Sequence, residues 1–257
     1  MMVPAKAMPE GGKKRSTVRR ILKWLSLSLL ALVIFAAGFV FWQLKTDKPL
    51  KISWLYERIF FEYALDDPEM LSYLRVLPAW LDFYSDDLTD ASLARGEAMM
   101  AKLKRDYASL TSYDRETLDA EGKLSYDILD YFLGQQVANE RWQYHDFPVN
   151  QLFGVQSTLP DFMVQAHQVK TAEDASNYIA RLQQFPVKFD QVLEGLKHRE
   201  SIGVLPQRFV VDKVLDQMRD FIDEAPEEHL LYTNLDQKLK ELGGAVAADE
   251  RAEFLTA

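Results

Sequence analysis

Residues 177–218 read NYIARLQQFPVKFDQVLEGLKHRESIGVLPQRFVVDKVLDQM. Apolar side chains recur here at steps of three and four, the spacing that places them along one side of a helix. Ile179 and Leu182 continue a face that begins at Ala175, and Pro186 is expected to end that helix, since proline lacks the amide hydrogen an interior turn needs. Phe189, Val192, Leu193 and Leu196 make the next face, which stops near Gly203. Pro206 opens another, carrying Val211, Val214, Leu215, Met218 and Ile222. Strand-like alternation is nearly absent, so the expected fold is all-α.

The same period extends both ways. Thr171 with Asp174 has the spacing of a capping box. Downstream, Pro226 is expected to open a helix with Leu231, Leu235, Leu239 and Leu242 inward, ended by Gly243-Gly244. The last ten residues, ADERAEFLTA (248–257), look like the start of an amphipathic helix that stops without a cap, which suggests a chain truncated at its C-terminus. Upstream, Asp67-Pro68-Glu69 reads as an N-cap, a first-turn proline and a favourable first-turn charge. Leu93, Gly96, Met100, Leu103, Tyr107 and Leu110 form one stripe, expected to open at Thr89 or Asp90. Asp114 is the expected cap of the next helix, with Leu118, Leu124, Ile128, Leu129, Phe132 and Leu133 inward. Aromatics at Trp54, Tyr56, Phe60, Phe61, Tyr73, Trp80, Phe83 and Tyr84 are expected to pack in the core. Residues 142–160 fit no helical period and hold Pro148, Asn150, Gly154 and Pro160, so they read as an irregular segment.

From Leu25 to Trp42 the chain carries no charge. Eighteen such residues in a helix span roughly 27 Å, the thickness of a bilayer core. Lys13, Lys14, Arg15, Arg19, Arg20 and Lys23 precede the run, so the positive-inside rule keeps the N-terminus cytoplasmic and exports the chain beyond the run. Ala36-Ala37-Gly38 could serve as a signal-peptidase site, but the apolar run continues past it through Trp42, which favours an uncleaved anchor. The expected organisation is a basic cytoplasmic tail (1–20), a transmembrane anchor (21–44) lying in the lipid bilayer, a linker (45–51) and a helical domain (52–257).

The net charge of −9 is unevenly spread. Residues 1–44 carry seven basic residues against Glu10, a sum of +6, which leaves −15 on the rest. Such a domain repels phosphate backbones, so no nucleic-acid partner is expected. Cysteine is absent, which excludes disulfides, thiolate metal sites and a cysteine-linked lipid. The four histidines, His145, His167, His198 and His229, show no HxxxH spacing. Helix capping accounts for Glu227-Glu228-His229, a charged surface for His198, a helix C-terminus for His167, and a structural hydrogen bond for His145. Asp82, Asp86, Asp87 and Asp90 are dense, but Tyr84 and Leu88 stand where a calcium loop needs oxygen, and turns and caps explain these acids better. No metal ligand, cofactor site or catalytic residue is assigned.

The stretches LSYDILDYFLGQQ (124–136), FPVNQLFGVQSTLPDFM (147–163) and 177–218 together resemble the bacterial DUF885 family, over about Ile52 to Ile222. Gly154, the spacing from Arg181-Leu182 to Pro186, and Gly203 followed by Pro206 carry most of the likeness. The resemblance implies an exported helical protein of the bacterial inner membrane with its domain in the periplasm, similar to zincin-type metallopeptidases. In that family an HExxPGH-like motif in the C-terminal half implies zinc and a peptide substrate. No stretch of this chain matches the motif, so zinc and peptide hydrolysis are implied for a full-length member, and this chain corresponds to the N-terminal, cleft-forming half. Asn150, Gln151, Gly154 and Gln156 are the residues expected to face that cleft. The alternative is a stand-alone membrane-tethered module that binds a partner.

Overall fold

The computed structural model describes residues 12–243 and 246–256, and only the backbone for 12–21 and Ala79. The expected tail residues 1–11 and Gly244 lie outside the described residues. Among the described residues ten α-helices succeed one another: α1 Gly12–Lys45, α2 Ile52–Ala64, α3 Pro68–Leu74, α4 Leu93–Thr111, α5 Ala120–Ala138, α6 Val155–Gln165, α7 Ala172–Ser201, α8 Arg208–Asp223, α9 Leu230–Glu241 and α10 Ala248–Thr256. No strand occurs among the described residues, and the fold is all-α. The chain forms two compact units, dividing within α2 between Arg58 and Ile59.

In the first unit, α1 is one unbroken helix of 34 residues. Its segment Leu22–Lys45 is long and apolar enough to cross a membrane. The residues after it are folded back rather than extended. Buried Gln43 accepts the Leu50 amide hydrogen at 2.8 Å, and the Thr46 hydroxyl donates to the Gln43 carbonyl at 2.8 Å. The Arg58 guanidinium donates to the Thr46 carbonyl.

In the second unit, local chemistry starts each helix. Asp67 caps α3, accepting the Met70 amide hydrogen at 2.8 Å, with Pro68 in the first turn. Thr171 and Asp174 form the capping box of α7 in both directions. Gly243 takes φ +57°, the left-handed turn that glycine accepts without strain, just past the end of α9. Two caps differ from expectation. Ser92, not Thr89 or Asp90, caps α4, because its hydroxyl reaches the Arg95 amide at 3.2 Å while Asp90 is used to hold Ser92. Asp114 caps only a short 3-10 turn, Arg115–Thr117, and Asp119 caps α5.

The core is built from α6, α7 and α9: Leu159, Phe162, Met163, Tyr178, Leu235 and Leu239 bury against one another. Phe254 and Leu255 of α10 pack onto this cluster. Two prolines that were expected to end or exclude helices lie inside them. Pro186 sits within the 30-residue α7, on its exposed side, where water can serve the carbonyl left without a partner. Pro160 sits within α6, so the irregular segment is shorter than 142–160 and yields to a helix at Val155. The inward face assigned to α5 is also reversed in part. Tyr126 and Leu133 are buried, while Leu124, Ile128 and Phe132 are exposed, because α5 packs chiefly on α4. Phe60, Phe61, Tyr73, Trp80 and Phe83 are likewise exposed rather than core; Trp80 keeps 82% of its surface.

Candidate functional site

The segment before α6 is a knot of hydrogen bonds around Asn150. Its side-chain oxygen accepts the amide hydrogens of Leu152 and Phe153, both at 2.9 Å, and its amide nitrogen donates to the Phe147 carbonyl at 2.9 Å. The Asn150 carbonyl accepts from the Gly154 amide at 3.2 Å and from Gln156 Nε2 at 2.7 Å. Gln156 also donates to Gln217 Oε1 of α8 at 3.1 Å, and Gln217 Nε2 donates to the Gln151 carbonyl at 3.2 Å. The turn is therefore tied to both α6 and α8. Gly154 makes this closeness feasible: a Cβ there would stand 2.5 Å from the backbone of Asn150 and 2.1 Å from Gln156 Oε1.

Beside this turn lies an apolar groove of about 450 Å³ between α7 and α8. Val149, Gln156, Phe189, Leu193, Val211 and Val214 are among its walls. A smaller cavity of about 230 Å³ adjoins it, sharing Gln156, Phe189 and Met218. Of the four residues expected to face a cleft, the structure puts Gln156 in the groove wall. It uses the Asn150 side chain to close the turn, the Gly154 backbone to allow it, and the Gln151 carbonyl to join it to α8. Leu152 and Phe153 project at the tip, both exposed.

The other face of the segment meets the end of α7. Arg199 pairs with Asp146 and lies over the Tyr144 ring at 5.6 Å, and His198 meets that ring edge-on at 4.4 Å. His145 packs edge-on against Trp142 at 4.7 Å. These histidines are ring-packing groups. His229 is the N-cap of α9, its Nδ1 accepting the Leu231 amide at 3.2 Å, and α9 starts at Leu230 rather than at Pro226.

A second polar centre lies in the core, where sequence reasoning assigned only a helix-terminal histidine. Arg181 is fully buried on the inward face of α7. It donates to Asp87 O at 2.9 Å, Ser72 Oγ at 2.8 Å, Tyr84 O at 3.0 Å and His167 Nδ1 at 2.9 Å, and it stacks 4.9 Å above the Phe162 ring. Arginine only donates, so His167 Nδ1 is the acceptor and the ring proton sits on Nε2, which donates to the Asp174 carbonyl at 2.9 Å. Burial pushes the His167 pKa down to about 4, with the cations of Arg181 and Lys238 adding to the effect. Burial also pulls Arg181 down to about 10, which leaves it charged at neutral pH. Lys238, lowered by burial to about 8, caps the end of α6 by donating to the Met163, Val164 and His167 carbonyls at 2.6–3.0 Å. A cation in phase with Tyr178 and Ala175 on the buried stripe was the sequence signal for this centre.

Among the described residues, no three His, Asp or Glu side chains converge as a metal site. The groove offers apolar contact and shape, with Asp190 as its acidic member and no paired acid and base.

The family model described as a bacterial protein of unknown function (DUF885) matches residues 68–257. The chain belongs to the DUF885 family. Among solved structures, this DUF885 chain is similar to a protein from Colwellia psychrerythraea provisionally assigned as a lipoprotein, with a TM-score of 0.61 and 18% identity over 76% of this chain. It spans 36% of the length of that protein, and at this identity the likeness concerns the fold. No curated protein matches the chain.

Proposed function

We propose that this chain is the membrane-tethered, groove-forming N-terminal half of an exported DUF885 hydrolase of the metallopeptidase type. The observation that carries this is the apolar groove between α7 and α8, built against a turn braced at Gln156, in a domain that places no acid–base pair in it. A wall that binds without reacting suits a substrate cleft whose chemistry comes from elsewhere in a longer fold, and the solved relative is a longer protein. The described residues do not fit a zinc site, so no step through zinc is assigned to this chain.

The test is a comparison of two products. This chain alone is expected to bind no stoichiometric zinc and cleave no peptide. A product extending through an HExxPGH-like sequence is expected to do both. In that enzyme Gln156→Ala should raise KM about 3- to 10-fold, the worth of one lost hydrogen bond in a binding wall. Normal kinetics in that variant, or zinc-dependent cleavage by this chain alone, would sink the proposal. The rival reading, a tethered binding module, draws on the same groove. It gains support if the extended product also lacks activity while an apolar peptide saturates the groove.

The proposed orientation is N-terminus inside the cytoplasm, with the domain on the periplasmic side of the inner membrane, since the basic residues cluster before the apolar run. Alkaline phosphatase fused after Asp47 should be active. A fusion that works only as a cytoplasmic reporter there would reverse the topology.

A further inference from the structure

Residues 82–91 form a strap without regular structure that lies along α7. One polar stripe of that helix holds it, with Arg181, Gln184, Lys188 and Gln191 spaced three, four and three apart. Arg181 grips the carbonyls of Tyr84 and Asp87. The Gln184 side chain accepts the Leu88 amide hydrogen at 3.2 Å and donates to the Asp86 carbonyl. Lys188 donates to the Thr89 carbonyl at 3.0 Å and pairs with Glu69, and Gln191 accepts the Ala91 amide hydrogen at 2.9 Å. Leu88 packs on the core cluster and Thr89 bonds to Asp67 and Glu69, so the strap has other anchors at its centre, while its first fastener, Arg181, is itself held in place by His167.

We propose that His167 is an acid-sensitive latch: protonation of its ring expels the Arg181 guanidinium and lets the 82–91 strap lift from α7. The geometry requires a neutral ring. Nδ1 must keep its lone pair to accept from Arg181, and Nε2 already spends its hydrogen on the Asp174 carbonyl. A second proton would put an N–H against a guanidinium N–H at the present 2.9 Å, with two cations in one buried site. The one opposing neighbour is outweighed by burial. From α7, Asp174 favours a charged ring, but its carboxylate is committed to the amides of Lys170 and Thr171, and the Tyr178 ring lies edge-on at 5.1 Å. From α9, the facing group is the Lys238 ammonium, which is positive. The acids of the strap and α3, namely Asp82, Asp86 and Glu69, act on the far side of Arg181 and favour that guanidinium, not a charged His167. This inference does not depend on the hydrolase reading.

Linkage fixes the sign. His167 binds its proton more weakly with the strap closed than open, so closure is favoured above the ordinary histidine pKa and is lost as pH falls toward 4. Amide hydrogen exchange of the whole chain in lipid nanodiscs, corrected for intrinsic rates, reads the device directly. Between pH 7.5 and pH 4.5 the strap amides of Leu88 and Ala91 should lose about 10- to 100-fold of protection, the range set by a histidine moving from about 4 to about 6.5. The α4–α5 hairpin should keep its protection. His167→Gln, whose amide can accept from Arg181 and donate to Asp174 without titrating, should hold the strap at both pH values. Equal protection at both pH values in the wild type, acid release in His167→Gln as well, or loss of the hairpin at the same pH would each overturn the latch. If His167→Gln does not fold, the wild-type ring is titrated by NMR, and a midpoint that fails to coincide with strap opening overturns it equally.

Discussion

Arg181→Met is expected to be the most damaging single substitution in the helical domain, lowering stability by about 4 kcal/mol, since several charge-assisted hydrogen bonds disappear and their buried acceptors remain. The methionine fills much of the apolar stem but cannot donate. The carbonyls of Tyr84 and Asp87, the Ser72 hydroxyl and His167 Nδ1 all lose a partner away from water. Thermal unfolding should shift down by roughly 10 °C for a domain of this size. Arg181→Lys should recover only part of the loss, because one ammonium cannot span acceptors lying around a planar fork. A melting temperature within about 2 °C of wild type for Arg181→Met would mean that the buried network contributes little net stability.

Gly154→Ala is expected to cost about 3 kcal/mol, the upper range for forcing a methyl into a packed site. The backbone here is extended, with φ −70°, so conformational strain is not the cause. The obstacle is the Asn150 backbone at 2.5 Å, which cannot move without breaking the turn that Asn150 itself closes. The Gln156 side chain, also in the way, would have to release both Asn150 and Gln217. Loss of exchange protection at Gly154 and Val155, together with lower melting, checks this. Asn150→Ala offers a comparison, because it removes the same turn without adding bulk and should cost about 1 kcal/mol. If the two variants lose equal stability, the steric account is wrong.

Much of the fold was legible in the chain because helices announce themselves locally. The cap at Asp67, the capping box of Thr171 with Asp174 and the stripe Leu231, Leu235, Leu239 each rest on residues within a few positions of one another, and each stands where the pattern put it. What misled was chemistry whose cost depends on surroundings. Pro186 reads as a helix end, yet on an exposed side of α7 the missing bond is cheaply offset by water. The candidate site was legible only as an irregular segment rich in turn formers. That Gln156 joins the turn to α8 through Gln217, 61 positions away, no local pattern could show.

The sequence by itself determined the helical class, the apolar anchor-length run, the acidic character of the chain beyond that run, and the family. These depend on composition, period and short-range capping, which need no partner to be read. Only the tertiary structure decided which apolar faces are covered, where a groove opens between α7 and α8, and that His167 and Arg181 share one buried bond. Those depend on distant elements meeting, because burial and hydrogen-bond satisfaction are properties of the packed assembly of helices and not of any one of them.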